Sequence, residues 1–91
     1  MTQQDHDRHI LHLTIIVDGI PHQKEYPANG KVEEVIKSLL SPGQRQNWDQ
    51  YVLTEQSNRK QLDPTQSLAQ NGVKDRDVLA LTKKEGGGGF N

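Results

Sequence analysis

Apolar and polar residues alternate along the first strongly patterned stretch of the chain, ILHLTIIV. The apolar positions of one parity are Leu11, Leu13, Ile15 and Val17. Successive side chains of a β-strand point to opposite faces, so this alternation predicts a strand with one buried face. The turn-forming residues DGIP come next, and HQKEYP follows with the pattern of a weaker second strand. The sequence therefore predicts a β-hairpin.

The period becomes helical in the segment ANGKVEEVIKSLLSPG. The apolar positions that would share one helical face are Val32, Val35, Ile36, Leu39 and Leu40. Glu33 and Glu34 would lie in the first turn, where carboxylates interact favourably with the helix dipole. Pro42 and Gly43 would end the helix. This segment is predicted to be one amphipathic helix.

Three more strands are predicted after the helix: YVLTE, a short KQL, and DVLAL with Leu79 and Leu81 facing inward. Between the last two, DPTQSLAQNGV predicts a compact loop with one helical turn, held by Leu68 and Val73. A helix across one face of a mixed sheet buries both apolar faces in one pair of layers. The expected fold is therefore α+β, a β-grasp with about five strands and one α-helix.

The predicted organisation is a disordered lead at residues 1–9, one domain at 10–82 and a flexible glycine-rich tail at 83–91. Ninety-one residues make one small domain. With no cysteine, the sequence offers no disulfide framework and no thiolate nucleophile. Neither a signal peptide nor a membrane-spanning segment is predicted, so we expect a cytoplasmic, monomeric protein.

Charge and histidine spacing exclude two further classes of function. Eleven basic and twelve acidic residues give a net charge of −1, which is unsuited to binding a phosphate backbone. The histidines are His6, His9, His12 and His22. Their spacing matches no zinc site, so no metal is predicted. The carboxylates, Glu55 among them, occupy surface-type positions and suggest no convergent pair. Trp48 is expected to pack over the helix end or the third strand.

A family resemblance lies in KQLDPTQSLAQNGVKDRDVLAL, which aligns without a gap with the second half of ubiquitin. The positions that carry it are Lys60, Gln61, Leu62, Ser67, Leu68, Val73, Asp75, Leu79 and Leu81. A glycine run follows the last strand, as it does in that family, and the element order extends the resemblance over Leu11 to Gly89. The chain therefore resembles a ubiquitin-like modifier.

The resemblance implies a partner surface and an acceptor lysine. The apolar patch through which ubiquitin meets most partners maps onto Ile16, Val52, Ala80 and Thr82. Lys60 corresponds to a position at which ubiquitin itself is conjugated, which suggests chain formation. The segment TKKE is polar where ubiquitin alternates leucine and arginine. The ending looks similar to ubiquitin-like proteins of bacterial conjugation-type operons, which accompany an activating enzyme and a zinc metalloprotease.

The same resemblance implies that the tail is a substrate and that the chain is not an enzyme. An activating enzyme would use ATP to adenylate a glycine carboxylate, with Lys83 and Lys84 as recognition residues and no cofactor bound to this chain. The residues of the conjugation tail are Gly86, Gly87, Gly88 and Gly89. A zinc metalloprotease or another deubiquitinase-like peptidase would first remove Phe90 and Asn91. The mature end is then Gly88 or Gly89, and both stay open.

Three functions remain open at the level of sequence. A modifier would be joined to a target lysine or another nucleophile, with or without a separate conjugating enzyme. A sulfur carrier would instead convert the same adenylated glycine into a thiocarboxylate. A non-covalent adaptor would use the sheet surface alone, and its glycine run would be an ordinary flexible segment.

Overall fold

Five strands and one α-helix make up the fold in this computed structural model, which describes residues 9–84. The strands are β1 (Ile10–Val17), β2 (Ile20–Pro27), β3 (Tyr51–Glu55), β4 (Lys60–Gln61) and β5 (Val78–Lys83). The helix α1 spans Val32–Leu39, and a 3₁₀ segment spans Pro42–Gln50. The predicted element order is confirmed. The predicted lead up to residue 8 and the tail from residue 85 lie outside the described residues.

The strands form one mixed sheet in the order β2-β1-β5-β3-β4. β1 and β5 pair in parallel, whereas the β1–β2, β3–β4 and β3–β5 pairs are antiparallel. The helix packs on one face of this sheet, and the buried core joins the two. The core side chains with no measurable exposure are Ile15, Val32, Leu53, Leu68 and Leu79. Strand alternation had predicted Ile15 and Leu79 to face inward, the helical period had predicted Val32, and Leu68 had been predicted to anchor its loop.

A two-residue turn joins β1 to β2. Both central residues have positive φ, 54° at Asp18 and 81° at Gly19. That backbone matches the type I′ turn, whose twist suits an antiparallel hairpin and which favours an Asp-Gly pair. The register places Val17 opposite Ile20, directly across the turn. The second strand therefore begins two residues earlier than the weak pattern in HQKEYP had predicted.

The outer strand β2 contains two prolines, and the hydrogen-bond pattern explains why it tolerates them. The N–H of Ala28 donates to the carbonyl of His9. In an antiparallel pair, the backbone N–H and C=O groups of every second residue before Ala28 in β2 therefore also point toward β1. Pro21 and Pro27 occupy the other parity, whose backbone faces away from β1. Proline lacks an N–H, so at these positions it removes no bond from the sheet. It does remove outward donors from an open edge.

The N-terminus of α1 has no side-chain cap, and the loop between β4 and β5 replaces one. Lys31 occupies the cap position without a capping hydrogen bond from its side chain. Instead, the N–H of Val32 donates to the carbonyl of Gln66 at 3.0 Å, and that of Glu33 donates to the carbonyl of Pro64 at 3.2 Å. Two of the unsatisfied N–H groups of the first turn thereby find acceptors.

The predicted stop at Pro42 and Gly43 is confirmed, but the sequence analysis did not predict the 3₁₀ segment that begins there. Its side chains return to the helix: the Arg45 Nε donates to the carbonyl of Lys37 at 3.2 Å. Trp48 is half-buried against the core, with the Lys37 ammonium 5.7 Å from its ring centroid. The prediction that Trp48 packs over the helix end is therefore confirmed. Between residues 63 and 73, where the sequence predicted a compact loop with one helical turn, the structure has turns and no helix.

The prolines of β2 lead to a prediction about association. Replacing Pro21 and Pro27 together by threonine restores two outward N–H groups on the edge strand, and threonine suits a strand conformation. We expect an unchanged fold and a larger fraction of dimers or higher species in sedimentation velocity at high protein concentration. Pro42→Thr, outside the sheet, is the matched control. Equal sedimentation of the double variant and the control would contradict this role of the prolines.

Candidate functional site: the outer sheet face and the end of β5

The four predicted partner-surface residues lie together on the face of the sheet opposite the helix. Ile16 lies opposite Ala80 in the β1–β5 register, and Val52 lies opposite Thr82 in the β3–β5 register. All four have the parity opposite to that of the core residues on the same strands. Three neighbouring strands therefore bring the four positions into one continuous patch, which we call the outer patch.

The outer patch is small and framed by polar side chains. Ile16 and Val52 are half-buried, Thr82 is exposed, and Ala80 keeps only 9% of its surface accessible. Thr54 lies opposite Ala80 on the other side, from β3. Obligate interfaces are generally large and strongly apolar. The outer patch is better suited to a small, reversible contact.

A groove adjoins the outer patch where β5 ends. It has a volume of about 520 Å³, and its lining includes Ile16, Ala80, Leu39, Tyr51 and Lys83. It thus extends from the outer patch, past the end of the sheet, to the C-terminal end of α1. Lys83, the last residue of β5, lies at the edge of the groove.

The last described residues show how the chain leaves the sheet. β5 continues to Lys83, one residue beyond the predicted end of the domain, and Lys83 lies opposite Tyr51. The N–H of Lys84 then donates to the carbonyl of Gln50 at 2.7 Å. Lys83 and Lys84 are both exposed. The predicted tail residues from Gly86 to Gly89, and Phe90 with Asn91, lie outside the described residues.

Lys60 lies in β4, the edge strand next to β3, and does not belong to the outer patch. Its backbone N–H donates to the side-chain oxygen of Asn58 at 3.0 Å. Its ammonium donates to the backbone carbonyl of Asn71 at 3.3 Å, and the residue as a whole is exposed. The side chain is thus accessible, with one hydrogen bond from its ammonium to the backbone.

Asn71 holds the loop from residue 62 to 77 together, and the sequence analysis missed it. The residue is 6% exposed. Its side-chain oxygen accepts the N–H of Asp63 at 2.8 Å, and its amide donates to the carbonyls of Asp63 and Ser67 at 3.1 and 2.9 Å. A buried amide with its bonds made in this way rigidifies the surrounding backbone. Hydrogen bonding from Thr65, its hydroxyl first and its backbone N–H second, holds the pKa of the Asp63 carboxyl below its usual range.

His12 anchors the end of the same loop to β1. Its backbone N–H donates to the Asp75 carboxylate at 2.6 Å, and its ring Nδ1 lies 3.0 Å from the same oxygen. These contacts, the backbone one first, hold the pKa of the Asp75 carboxyl below its usual range. The Nε2 of His12 lies 3.8 Å from the Glu25 carboxylate. Across residues 9–84, no three metal-ligating side chains cluster closely enough to hold an ion.

The expectation that Glu55 occupies a surface position is wrong. The residue is 7% exposed and belongs to the inward parity of β3, with Leu53. Its carboxylate accepts the Ser57 hydroxyl at 3.3 Å. The strand alternation carried this signal, because Glu55 follows Leu53 by two residues. The charge of the side chain had suggested the surface instead.

Comparison with known proteins identifies the fold. No family model matches the chain, and no curated protein sequence does either. Among solved structures, the N-terminal ubiquitin-like domain of the 4931431F19Rik protein is 21% identical, with a TM-score of 0.66 over 90% of this chain and 82% of that one. Ubiquitin of Caldiarchaeum subterraneum is 23% identical, with a TM-score of 0.64 over 88% of this chain and 100% of that one.

A de novo design based on ubiquitin is similar as well, at 19% identity and a TM-score of 0.66 over 89% of this chain and 96% of that one. These likenesses, together with the mixed sheet and the helix across it, show a ubiquitin-like β-grasp fold. The fold class expected from the sequence is therefore confirmed. In the described part of the chain, no helix has the length and apolar character needed to cross a membrane.

The Asn71 network leads to a prediction about stability. Asn71→Ala removes the side-chain partner of the Asp63 N–H and carbonyl and one of two donors to the Ser67 carbonyl, so we expect the free energy of unfolding to fall by about 1–3 kcal/mol. Urea denaturation followed by circular dichroism measures the change. Asn29→Ala is the control, because Asn29 is exposed, and should change stability by less than about 0.5 kcal/mol. Similar losses in the two variants would contradict the proposed role of Asn71.

Proposed function

We propose that the protein is a ubiquitin-like modifier whose C-terminal glycine is activated and joined to a target amine. The observation that carries the proposal is positional. A ubiquitin-like sheet ends at Lys83, and a run of four glycines begins only three residues later, at Gly86. Glycine has no Cβ, so such a run can enter a narrow channel and approach an enzyme's backbone closely.

The chemistry would take place on the tail, with catalytic groups supplied by partners. The glycine carboxylate attacks the α-phosphorus of ATP, displaces pyrophosphate and forms an acyl adenylate. A cysteine thiolate of the activating enzyme then displaces AMP to form a thioester. A lysine amine of the target displaces that thiolate and loses a proton, leaving an amide bond. A conjugating enzyme could carry the thioester between the last two steps.

Processing precedes activation in this proposal. Phe90 and Asn91 follow the glycines, so the peptide bond after a glycine would have to be cleaved before a glycine carboxylate is free to react. A zinc metalloprotease, with a metal-bound water as nucleophile, suits this cleavage, as would another deubiquitinase-like peptidase. An operon that encodes such a peptidase beside an activating enzyme would support the bacterial conjugation-type setting suggested by the resemblance.

Lys83 and Lys84 are the proposed recognition residues for the activating enzyme. Both ammonium groups are exposed at the point where the chain leaves the sheet. Charged groups at the edge of an interface mainly steer association and fix orientation. The lysines would thus orient the tail toward the adenylation site. The outer patch and its adjoining groove would supply the second, apolar part of the contact.

The proposal is tested with chains that end at Gly88, at Gly89 and at Asn91, each incubated with the cognate activating enzyme and ATP. We expect the glycine-ended chains to form a thiol-sensitive enzyme adduct, and the chain ending at Asn91 to form none until a peptidase is added. Intact-mass spectrometry identifies the product. Failure of both glycine-ended chains to form an adenylate or adduct would contradict the proposal.

The same measurement separates the alternatives. A sulfur carrier would gain only the mass of replacing one oxygen by sulfur, whereas a modifier would gain the mass of a target. A non-covalent adaptor would keep its biological activity when residues 86–91 are deleted, and retained activity would contradict both covalent functions.

Reversing the charge at the end of β5 leads to a further prediction. Lys83→Glu with Lys84→Glu should slow adduct formation roughly twofold to thirtyfold while leaving the fold intact, because exposed charge contacts contribute about 0.2–1 kcal/mol each. Initial rates at limiting modifier concentration measure the change, and added salt should reduce the difference. Lys24→Glu on β2 is the control. If Lys24→Glu slowed adduct formation equally, the lower rate would result from net charge and not from the position of Lys83 and Lys84.

A further inference from the structure

Glu55 is the last residue of β3, and Asp77 immediately precedes β5, the strand next to β3. Glu55 is directly opposite Leu79 in the β3–β5 register. Asp77 precedes Leu79 by two residues and therefore has the same parity, diagonal to Glu55. The N–H of Gln56 donates to the carbonyl of Val78 at 2.9 Å, so the backbone joins the two strands at this point. The carboxyl groups of Glu55 and Asp77 thus lie on the helix side of the sheet, where β3 ends and β5 begins.

A cavity of about 410 Å³ connects this pair of carboxyl groups to solvent. Its lining includes Glu55, Asp77 and Ser57, together with Lys60 from β4 and Lys74 from the loop before β5. The ammonium of Lys60 donates to the Asn71 carbonyl. Within residues 9–84, neither lysine comes within ion-pair distance of Glu55 or Asp77. The two carboxyl groups therefore face the cavity without a bound countercharge.

The two carboxyl groups have different surroundings. Asp77 is half-buried, and its carboxyl group accepts the N–H of Lys74 at 2.8 Å. Glu55 is buried and accepts only the Ser57 hydroxyl, at 3.3 Å. Burial raises the pKa of the Glu55 carboxyl, and Asp77 raises it further by hydrogen bonding and by charge, while Ser57 lowers it. Burial and the neighbouring Asp77 thus both favour the protonated form of Glu55.

We propose that Glu55 and Asp77 form a proton-binding pair, and that loss of the proton from Glu55 weakens the junction between β3, β4 and the loop before β5. A protonated Glu55 can donate to the Asp77 carboxylate across the strand pair. After deprotonation, the negative charges of Glu55 and Asp77 lie close together, and that of Glu55 is buried. Lys60 and Lys74 then become the nearest cations that could move to neutralise them. The junction thus responds to pH, and it carries Lys60.

The sign of the linkage is opposite to that of the other shifted acids. A raised pKa in the folded state makes the stabilisation by Glu55 fully present below the unfolded-state pKa and lost as pH rises through the folded-state pKa. Asp63 and Asp75, whose pKa values are lowered, instead contribute stability that is lost as pH falls. The pH dependence of the parent's unfolding free energy contains contributions of both signs. The test therefore compares the unfolding free energies of a variant and the parent at each pH.

The experiment measures unfolding of the parent and of Glu55→Gln by urea at a series of pH values from 4 to 8. Glutamine closely matches a protonated glutamate, so the two proteins should have the same unfolding equilibrium constant at the acidic end. Toward neutral pH we expect the constant of the variant to become severalfold smaller than that of the parent. The Gln56 amide should exchange with solvent faster at neutral pH in the parent than in the variant.

Two further measurements make the result specific to the pair. Asp77→Asn keeps an oxygen that can accept the Lys74 N–H, and it should reduce the pH-dependent effect of Glu55→Gln. Asp49→Asn, at an exposed site in the 3₁₀ segment, should leave that effect unchanged. A carbon-13 NMR titration of the Glu55 carboxyl then reports its protonation directly. A pH-independent stability difference, or titration of Glu55 in the ordinary range for glutamate, would overturn the proposal.

Discussion

The parallel pairing of β1 with β5 is the constraint on which the rest of the structure depends. Residues 14–17 lie beside residues 78–81, so the two strands that meet at the centre of the sheet are far apart in sequence. Parallel neighbours need a long crossover connection, and everything from β2 to the loop at residues 62–77 forms that connection. Ile15 and Leu79, which lie opposite each other, are both fully buried. The helix, β3 and β4 must therefore pack around the β1–β5 pair, whose second member is the last strand in the sequence.

The loop from residue 62 to 77 meets this requirement through polar contacts as well as apolar ones. It supplies carbonyls to the first turn of α1, buries the side chain of Asn71 and fixes Asp75 against β1. Leu68 and Val73 anchor it in the core. A segment without regular secondary structure thereby positions both α1 and β1. It also forms one wall of the cavity that contains the carboxyl groups of Glu55 and Asp77.

Sequence patterns predicted the parts of the fold in which burial follows a regular period. Alternation along β1 and the helical period of α1 identified the buried residues, because an apolar face must be covered. The 3₁₀ segment has no such period: Arg45 bonds it to the helix, and Asn47 bonds to Gln44 within it. Asn71 was missed for the same reason, since a buried amide in a loop leaves no repeating pattern. Glu55 was misassigned because its charge outweighed its position in the alternation. The outer patch was located through the family resemblance, and the strand register then showed its four residues to be adjacent.

The direction of the two central strands also determines how the domain would respond to mechanical force. β1 and β5 run parallel, so the start of β1 and the end of β5 lie at opposite ends of the pair. A pull on the chain beyond Lys83, against an anchor before Ile10, loads the backbone bonds between these strands in shear. Bonds loaded in this way share the force, whereas a hairpin pulled from its open end releases them one after another. Tension along the tail would therefore be resisted by the centre of the sheet.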